Sequence, residues 1–454
     1  MWICVSEPFD EMKIMKEILE FLKVYDAQNI TQLELLTELI ADALKGKVFL
    51  LVLDDVWTTN YQKWEHIKWC LKSGDPRSRI LITTRKEEVA QMMGAEERMI
   101  RLMVLTKEVC WSIFSKIAFF NREQNSQLER IGRELVHKCQ GLPLAAKTLG
   151  SLMRLTRHVH QWNYILNSAL WNIEDVQVNV FVPFMLSYHD LPPLEKVCLL
   201  YCCVFPKDHV IDRDELITMW LSQDFFSPSK NLEQQDLSCI EQWFELQAKD
   251  CFKNLAARSF FQDFKKDNDL IHDFLQYLTA KEYFMVDTYS NNQGREGTVS
   301  TIVNQANEKA RHATLLLESD SQIPESVNMK RHLRTLFITS TDGSTFLRLN
   351  LENFKLVRTL HLSGARIAEI PKEIKELIHL RYLCISDNYH LKELPEQVCD
   401  LYNLMTLRIY RCPEFQTWPK QMSKLKNLRY LYVKGCDKIK ALPGLTIWDV
   451  KIFH

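Results

Sequence analysis

The first ninety residues alternate short apolar runs with segments of helical periodicity. Trp2–Val5 is a β-type run, and Val48–Leu53 is a continuous apolar run typical of a strand buried on both faces of a parallel sheet. Arg79–Thr84 forms a third run, and helical spacing of apolar residues fills the intervals. Strand–helix–strand spacing of roughly 30 residues predicts βαβ units in a doubly wound α/β sheet.

Residues 105–285 show mostly helical periodicity, interrupted at Gly141-Leu142-Pro143 and at Leu191-Pro192-Pro193. A glycine that ends one helix and a proline that starts the next account for the first interruption. A separate apolar helix is predicted at Phe274–Tyr283. Polar residues dominate the stretch that follows, so residues 287–310 are predicted to be a linker.

The carboxyl-terminal region repeats one apolar pattern every 24 residues. The clearest copy is Leu380–Asn388 (LxxLxIxxN), and later copies begin at Leu404 and Leu428. This period falls in the range of about 20–29 residues found in leucine-rich repeats. The apolar positions should fill the inside of each coil, while Asn or Cys at the last position bonds backbone groups that no strand pairs. Cys412 and Cys436 therefore receive a structural role.

Composition and charge limit the classes of protein to which this chain can belong. Hydrophobic residues make up 46% and charged residues 25% of the chain, which is typical of a globular protein and excludes a disordered one. The apolar runs are all shorter than the roughly 18 residues of a transmembrane helix. A net charge of −1 provides no electrostatic argument for nucleic-acid binding. Thirteen scattered cysteines predict a reducing, cytoplasmic location, with Cys198, Cys202 and Cys203 in a core rather than on zinc.

Two adjacent acids, Asp54 and Asp55, follow the Val48–Leu53 run. Ligands of open α/β sheets bind at the carboxyl ends of the strands, where both acids are expected. One carboxylate there can hold Mg²⁺ and the other can orient an attacking water. The same residues also fit a plain strand end whose carboxylates cap the next segment, and this alternative stays open.

Two further motifs carry polar groups that could reach a phosphate. Thr83-Thr84-Arg85 ends the next strand, where an arginine can contact a γ-phosphate, although a solvated arginine is the simpler interpretation. Ile271-His272-Asp273 precedes an apolar helix, and a histidine near a helix amino terminus can contact a phosphate or serve as a cap. The phosphate-binding motif GxxxxGK[S/T] does not occur in the sequence, nor does a specific Ser/His/Asp or Cys/His arrangement.

Taken in order, these motifs resemble a plant intracellular immune receptor of the coiled-coil nucleotide-binding, leucine-rich-repeat class. WICVSEPFD, KVFLLVLDDVW and SRILITTRKEEVA resemble three strands of its nucleotide-binding domain, the second being the Walker B strand. Gly141–Ala145, the segment Cys198–Trp220 and Ile271–Asp273 follow in the family's order. A chain that opens on an interior strand and lacks the phosphate loop is, by this resemblance, an amino-terminally truncated receptor.

The resemblance implies a role for each matching residue. Asp54 would bind Mg²⁺, and Asp55 would polarise the hydrolytic water. Arg85 would sense the γ-phosphate. The remaining nucleotide-binding positions are Thr84 beside that arginine, Pro143 near the adenine, and His272 on the β-phosphate of ADP.

The resemblance also implies a multidomain architecture with a leucine-rich-repeat solenoid at its end. The expected domains are a partial α/β nucleotide-binding domain (1–104), a helical domain (105–185), a winged-helix domain (186–286), a linker (287–310) and the repeats (311–454). The implied function is an ADP/ATP-binding switch in plant defence rather than an enzyme that turns over. The repeats would sense a pathogen effector or a guarded host protein, and other receptor chains would be partners on activation.

One alternative remains open at this stage, a nucleotide-free interaction module that acts as a decoy or regulator of a full-length receptor. Its binding surface would be the strand positions expected to face outward, where aromatic and basic residues suit a protein partner. These positions are Thr359, His361, Tyr382, Arg408, Tyr430 and Tyr432.

Overall fold

The structure is a computed structural model, and it divides into two compact units. One contains Met1–Ile100 and Phe284–His454, and the other contains Arg101–Tyr283. The structure describes residues 1–5, 9, 11–24, 30, 32–58, 60–120, 125–156, 158–172, 180–207, 209–226, 237–261, 269–287, 310–317, 323–340, 349–439 and 451–453. Most of the predicted linker, residues 288–309, lies outside the described residues.

The amino-terminal region forms the predicted parallel sheet. Its strands are β1 (Trp2–Cys4), β2 (Leu50–Asp54) and β3 (Arg79–Ile82), in the order β1-β2-β3. Both strand pairs are parallel, with Cys4 opposite Asp54 and Leu53 opposite Ile82. The accompanying helices are Glu11–Phe21, Leu33–Leu44, Glu65–Leu71 and Glu87–Met92. This arrangement confirms the α/β fold class for this part of the chain.

Burial along β2 and β3 differs from the sequence prediction. Leu51 and Leu53 are buried, and they pack with apolar side chains of the first helices. Val48 and Leu50, however, are 55% and 56% exposed, so the prediction of a strand buried on both faces along its whole length is wrong. The periodicity identifies a strand but cannot reveal which neighbours cover its two faces.

The second unit is helical, as predicted. Its helices are Lys107–Ala118, Ser126–Lys138, Pro143–Leu155, Val159–Leu166, Val182–His189, Pro193–Tyr201, Arg213–Ser222, Leu237–Ala257 and Asp269–Thr279. Aromatic side chains organise one core, in which Trp111 stacks with Phe114 and Phe114 meets the edge of Trp162. Cys198, Cys202 and Cys203 are fully covered, which confirms their placement in a core.

The predicted helix Phe274–Tyr283 differs from the observed one at both ends. The helix spans Asp269–Thr279, so His272 lies in its first turn rather than before it, and Tyr283 is the first residue of a strand. Among the described residues, no helix combines the length and apolar character needed to cross a membrane.

The carboxyl-terminal region forms an eight-stranded sheet whose strands follow one another in sequence order. Its strands are β4 (Tyr283–Asp287), β5 (His312–Leu317), β6 (Thr335–Ser340), β7 (Thr359–His361), β8 (Tyr382–Cys384), β9 (Thr406–Tyr410), β10 (Tyr430–Lys434) and β11 (Lys451–Phe453). Short 3₁₀ helices, such as Lys372–Glu376 and Glu396–Asp400, complete the coils. Tyr382, Thr406 and Tyr430 are direct partners across parallel strands, which confirms the 24-residue repeat.

The interior of these coils follows the predicted pattern. Leu383, Leu407 and Leu431 are each fully buried in one continuous apolar core. Asn388 is buried as well, and its amide group donates to the carbonyl oxygens of Leu362 and Ile385 at 2.8 Å. Asn388 therefore satisfies backbone groups between coils, which is the role predicted for that position.

The side chains predicted to face a protein partner lie on or beside neighbouring strands of this sheet. All six side chains, Thr359, His361, Tyr382, Arg408, Tyr430 and Tyr432, have exposed fractions between 0% and 8%. They also contact their neighbours along the sheet. The ring of His361 stacks on Phe337 with centroids 3.9 Å apart, and Arg408 lies 4.3 Å from the ring centroid of Tyr432.

Candidate functional site

A polar cluster lies where β2 and β3 end. Both strands run in the same direction, so their carboxyl ends meet at one edge of the sheet. Asp54 is the last residue of β2, Asp55 follows it, and Thr83 follows β3. The strand register places Thr83 beside Asp54, because Leu53 is opposite Ile82 one position earlier.

Thr83 connects the two acids. Its hydroxyl donates to Oδ1 of Asp54 at 2.5 Å and accepts the backbone N–H of Asp55 at 2.8 Å. The backbone is fixed on both sides of this contact, since the N–H of Thr83 donates to the carbonyl of Leu53 and that of Val56 to the carbonyl of Thr83. The hydroxyl and the first carboxylate are thus held in place by the ladder of the sheet.

Asp55 adopts a left-handed backbone conformation with a φ of 54°. Outside glycine this region is uncommon, and Asp is one of the residues that tolerates it. The conformation ends the strand abruptly and redirects the second carboxylate. Its Oδ2 is buried and, among the described residues, has no hydrogen-bond partner. A buried acceptor without a partner is costly, and an added cation is one way to satisfy it.

Two basic residues lie next to the acids. Nε of Arg85 is 3.7 Å from Oδ1 of Asp55, and the guanidinium carbon of Arg85 is 4.9 Å from the ring centroid of Trp57. Lys86 approaches the same ring at 5.3 Å and donates to the backbone carbonyl of Trp57. The ring of Trp57 therefore packs against the positively charged groups of both Arg85 and Lys86.

Thr84, the threonine predicted from the sequence, points elsewhere. Its hydroxyl donates to the backbone carbonyl of Val56 at 2.7 Å and accepts the backbone N–H of Lys86 at 3.1 Å. Thr84 thus shapes the turn after β3, while the contact with the acids belongs to Thr83. Alternate residues of a strand point to opposite faces, so only one of the two threonines can contact the acids, and the register of β3 selects Thr83.

Pro143 is the first residue of the helix Pro143–Leu155, and it is exposed. The turn before it depends on Gly141, which has a φ of +81° and whose carbonyl accepts the N–H of Leu105 at 2.9 Å. A Cβ at this glycine would lie 2.7 Å from the carbonyl oxygen of Leu105. The motif therefore does act as a helix boundary, as predicted, and it holds Pro143 at the helix start.

His272 is 2% exposed. Its Nε2 is 2.9 Å from the backbone carbonyl oxygen of Phe205, and because a carbonyl can only accept, Nε2 carries the proton. The neighbouring Asp273 pairs with Lys207 at 3.3 Å. The histidine thus ties the helix Asp269–Thr279 to the segment that follows Pro193–Tyr201.

The cluster at β2 and β3 fits a hydrated Mg²⁺ ion. Two carboxylates and one hydroxyl provide the oxygen ligands that this ion prefers. The buried, unpartnered Oδ2 of Asp55 supports this fit, since the described residues leave it unsatisfied. Asp54 and Asp55 would hold the ion directly or through water, and Arg85 would face a bound phosphate.

Three family models match separate parts of the chain. An NB-ARC domain matches residues 1–124, a disease resistance protein winged helix domain matches residues 204–278, and a leucine-rich repeat region matches residues 332–450. The candidate cluster lies within the first match, and His272 lies within the second.

Curated plant proteins align with most of the chain. The chain is 33% identical to "Putative disease resistance protein RGA1" of Solanum bulbocastanum over 394 residues, and this alignment covers 86% of the chain and 36% of that protein. It is 33% identical to "Disease resistance protein RGA2" of the same species, over 83% of this chain and 35% of that protein. It is 31% identical to "Putative disease resistance RPP13-like protein 1" of Arabidopsis thaliana, over 85% and 36% respectively. The chain thus spans about a third of the length of these relatives.

Proposed function

Because the chain belongs to the plant disease resistance proteins with NB-ARC, winged-helix and leucine-rich-repeat domains, we propose that it acts in plant defence as part of a switch controlled by ADP and ATP. In this proposal the cluster of Asp54, Asp55, Thr83 and Arg85 binds the Mg²⁺-bound phosphates. The single observation that carries it is the convergence of these four side chains at the carboxyl ends of two parallel strands.

The contacts of the cluster support a division of roles. Asp54, held by Thr83, has a fixed position and is suited to bind the metal. Asp55 has one buried oxygen without a partner among the described residues, and is suited to orient a water beside the phosphate. The two carboxylates would bind the Mg²⁺ ion, and this ion would neutralise the phosphate charge of a bound nucleotide.

Arg85 is the residue through which the site would distinguish ATP from ADP. Its guanidinium pairs with Asp55 at 3.7 Å, and its side chain is 47% exposed. Such an exposed pair stabilises the fold by no more than about 1 kcal/mol, so a γ-phosphate can compete for the arginine at little cost. Movement of Arg85 from carboxylate to phosphate would bias a two-state element, as in other phosphate-controlled switches.

We further propose that the chain is not a turning-over ATPase and that it acts in the cytoplasm. The motif GxxxxGK[S/T], whose lysine and backbone N–H groups hold the β- and γ-phosphates in related folds, is absent from the sequence. The second candidate is a nucleotide-free repeat module that binds a protein and acts as a decoy or regulator. The two candidates differ in one measurable property, which is nucleotide binding.

The test is equilibrium binding of a fluorescent ADP analogue to the full chain in the presence of Mg²⁺. We expect saturable binding that is lost in Asp54→Ala and weakened in Asp55→Ala. Asp75→Ala is the matched control, because Asp75 pairs with Arg77 in the turn that precedes β3. Equal binding by all four proteins, or no binding by the unsubstituted chain, would exclude the switch and leave the repeat module.

A further inference from the structure

Two cysteines occupy equivalent positions in neighbouring coils of the leucine-rich repeats. Cys412 follows β9 by two residues, and Cys436 follows β10 by two residues. Tyr410 is the direct partner of Lys434 in the parallel pair, and the N–H of Arg411 continues the ladder to the carbonyl of Lys434 at 2.8 Å. The register therefore places the two cysteines side by side.

Their thiols repeat the same local geometry. Sγ of Cys412 is 3.2 Å from the carbonyl oxygen of Ile385, and Sγ of Cys436 is 3.5 Å from that of Ile409. Each sulfur also lies near the carbonyl two residues earlier in its own coil. The two side chains are thus copies of one another, displaced by one coil.

This displacement is compatible with a disulfide. Neighbouring strands lie about 4.8 Å apart, and disulfides join Cα atoms separated by about 4.4–6.8 Å. The two coils are also held together on both sides of the thiols, since Lys438 pairs with Glu414 at 2.6 Å and the N–H of Arg411 donates to the carbonyl of Lys434 at 2.8 Å. Rotation of the two side chains toward each other would then bring the sulfurs into bonding distance.

The two thiols differ in accessibility and in acidity. Cys412 is fully buried, while Cys436 is partly exposed. The neighbouring Cys412 thiol lowers the pKa of Cys436, whereas the neighbouring Cys436 thiol and burial raise the pKa of Cys412. Cys436 is then the nucleophile and Cys412 the resolving thiol.

We propose that Cys412 and Cys436 form a redox modification site, in which a peroxide converts the two thiols into a disulfide between adjacent coils. The Cys436 thiolate attacks one oxygen of the peroxide, the O–O bond breaks, and the released hydroxide takes a proton to become water. Cys436 is left as a sulfenic acid. The sulfur of Cys412 then attacks the sulfur of Cys436, an S–S bond forms, the S–O bond breaks, and the second hydroxide leaves with the proton of Cys412 as water.

Across both steps, the two thiols lose two protons and two electrons, and one hydrogen peroxide takes them up to become two waters. The product closes a loop of 24 residues, which restricts the unfolded chain and should stabilise the two coils against unfolding. A reducing dithiol reverses the change.

The test treats the full chain with hydrogen peroxide, blocks the remaining thiols, and maps its peptides by mass spectrometry without reduction. We expect a peptide pair joined through Cys412 and Cys436, two hydrogen masses below the sum of its parts. Cys399 is the internal control, because it is fully buried and should remain reduced under the same exposure. Dithiothreitol should remove the linked pair and lower the urea midpoint of the repeats to its starting value.

Two variants separate the roles. Cys436→Ser should abolish the link, and Cys412→Ser should trap a sulfenic acid at Cys436 that reacts with dimedone. Cys412→Asn can replace Cys412→Ser in this experiment, since Asn388 occupies the equivalent position in the preceding coil. A Cys436 no more reactive than Cys399, or a sulfenic acid that accumulates in the unsubstituted chain without linking to Cys412, would overturn the proposal.

Discussion

The hydroxyl of Thr83 donates to Oδ1 of Asp54 at 2.5 Å, across two parallel strands and a separation of 29 residues. The hydroxyl oxygen of Thr83 also accepts the backbone N–H of Asp55. One side chain after β3 therefore fixes both acids at the end of β2, and it does so at the edge of the sheet where α/β proteins bind ligands. The contact between β2 and the end of β3, rather than the loop that follows β2, therefore fixes the position of the acids.

Removal of this hydroxyl should weaken the site more than it weakens the fold. Thr83→Val keeps the shape but leaves the N–H of Asp55 and the carboxylate of Asp54 without this partner, at a cost of about 1 kcal/mol in the free energy of unfolding. We expect reduced Mg²⁺-dependent ADP binding, measured by fluorescence titration. Thr84→Val is the control, since its hydroxyl serves the carbonyl of Val56. An effect on ADP binding that is larger for Thr84→Val would contradict the assignment.

The turn before Pro143 should not accept a side chain. Gly141→Ala forces a residue into a φ of +81° and places its Cβ 2.7 Å from a backbone oxygen. Gly94 has a similar φ of +68°, but a Cβ at that position would meet nothing within 4 Å, so Gly94→Ala incurs only the conformational cost of about 1 kcal/mol. Urea denaturation should show a clearly larger loss for Gly141→Ala. Equal losses would mean that the close approach to Leu105 is relaxed in solution.

The buried amide of Asn388 should be important for the stability of the repeats. It accepts the N–H of Ile367 at 2.9 Å and donates to three carbonyls, those of Leu362, Ile385 and Ser386. Asn388→Ala removes all of these bonds and leaves the buried N–H of Ile367 without its acceptor, so we expect a loss of about 2–3 kcal/mol in the free energy of unfolding. Asn403→Ala, which removes one exposed bond to Ile378, should cost less than about 1 kcal/mol. Calorimetric unfolding of both variants tests the difference.

Stability of the repeats should fall in acid through His312. Its Nδ1 is buried although the residue is partly exposed, and burial together with Arg334 and Arg311 lowers its pKa from 6.5 to about 3. The folded state keeps this ring neutral, so between pH 6.5 and about 3 the unfolded state binds the extra proton. Stability from this group is therefore complete above pH 6.5 and declines as the pH falls.

The measurement is the free energy of unfolding as a function of pH for the unsubstituted chain and for His312→Gln. Between pH 6.5 and about 3, the free energy of unfolding should depend less steeply on pH in the variant, by at most about 1.4 kcal/mol per pH unit. His379→Gln serves as the control, since His379 is exposed. An unchanged slope in His312→Gln would show that the ring is protonated in the folded state.

Periodicity is sufficient to predict elements whose neighbours are dictated by the repeat itself. The positions of Leu383, Leu407 and Leu431 are predictable because each coil packs on a similar one. The exposure of Leu50 is not, since it depends on what covers the second face of a short sheet. For the same reason the sequence alone contains no indication that His361 and Tyr382 are buried.

The candidate site is only partly predictable. Asp54, Asp55 and Arg85 can be identified because their residue types follow two strands, and the structure brings them together. The sequence points to Thr84 rather than Thr83, since the choice between neighbours depends on the register of β3 and a shift of one residue reverses it. The roles of Thr84, Pro143 and His272 toward a nucleotide remain predictions.

The most direct test of the proposed switch is a calorimetric titration of the full chain with ADP, carried out with Mg²⁺ and again with EDTA. Two carboxylates and a hydroxyl can hold a phosphate only through a cation, so we predict saturable binding with Mg²⁺ and none with EDTA. Binding of the same strength under both conditions, or no binding with Mg²⁺, would contradict the proposed switch.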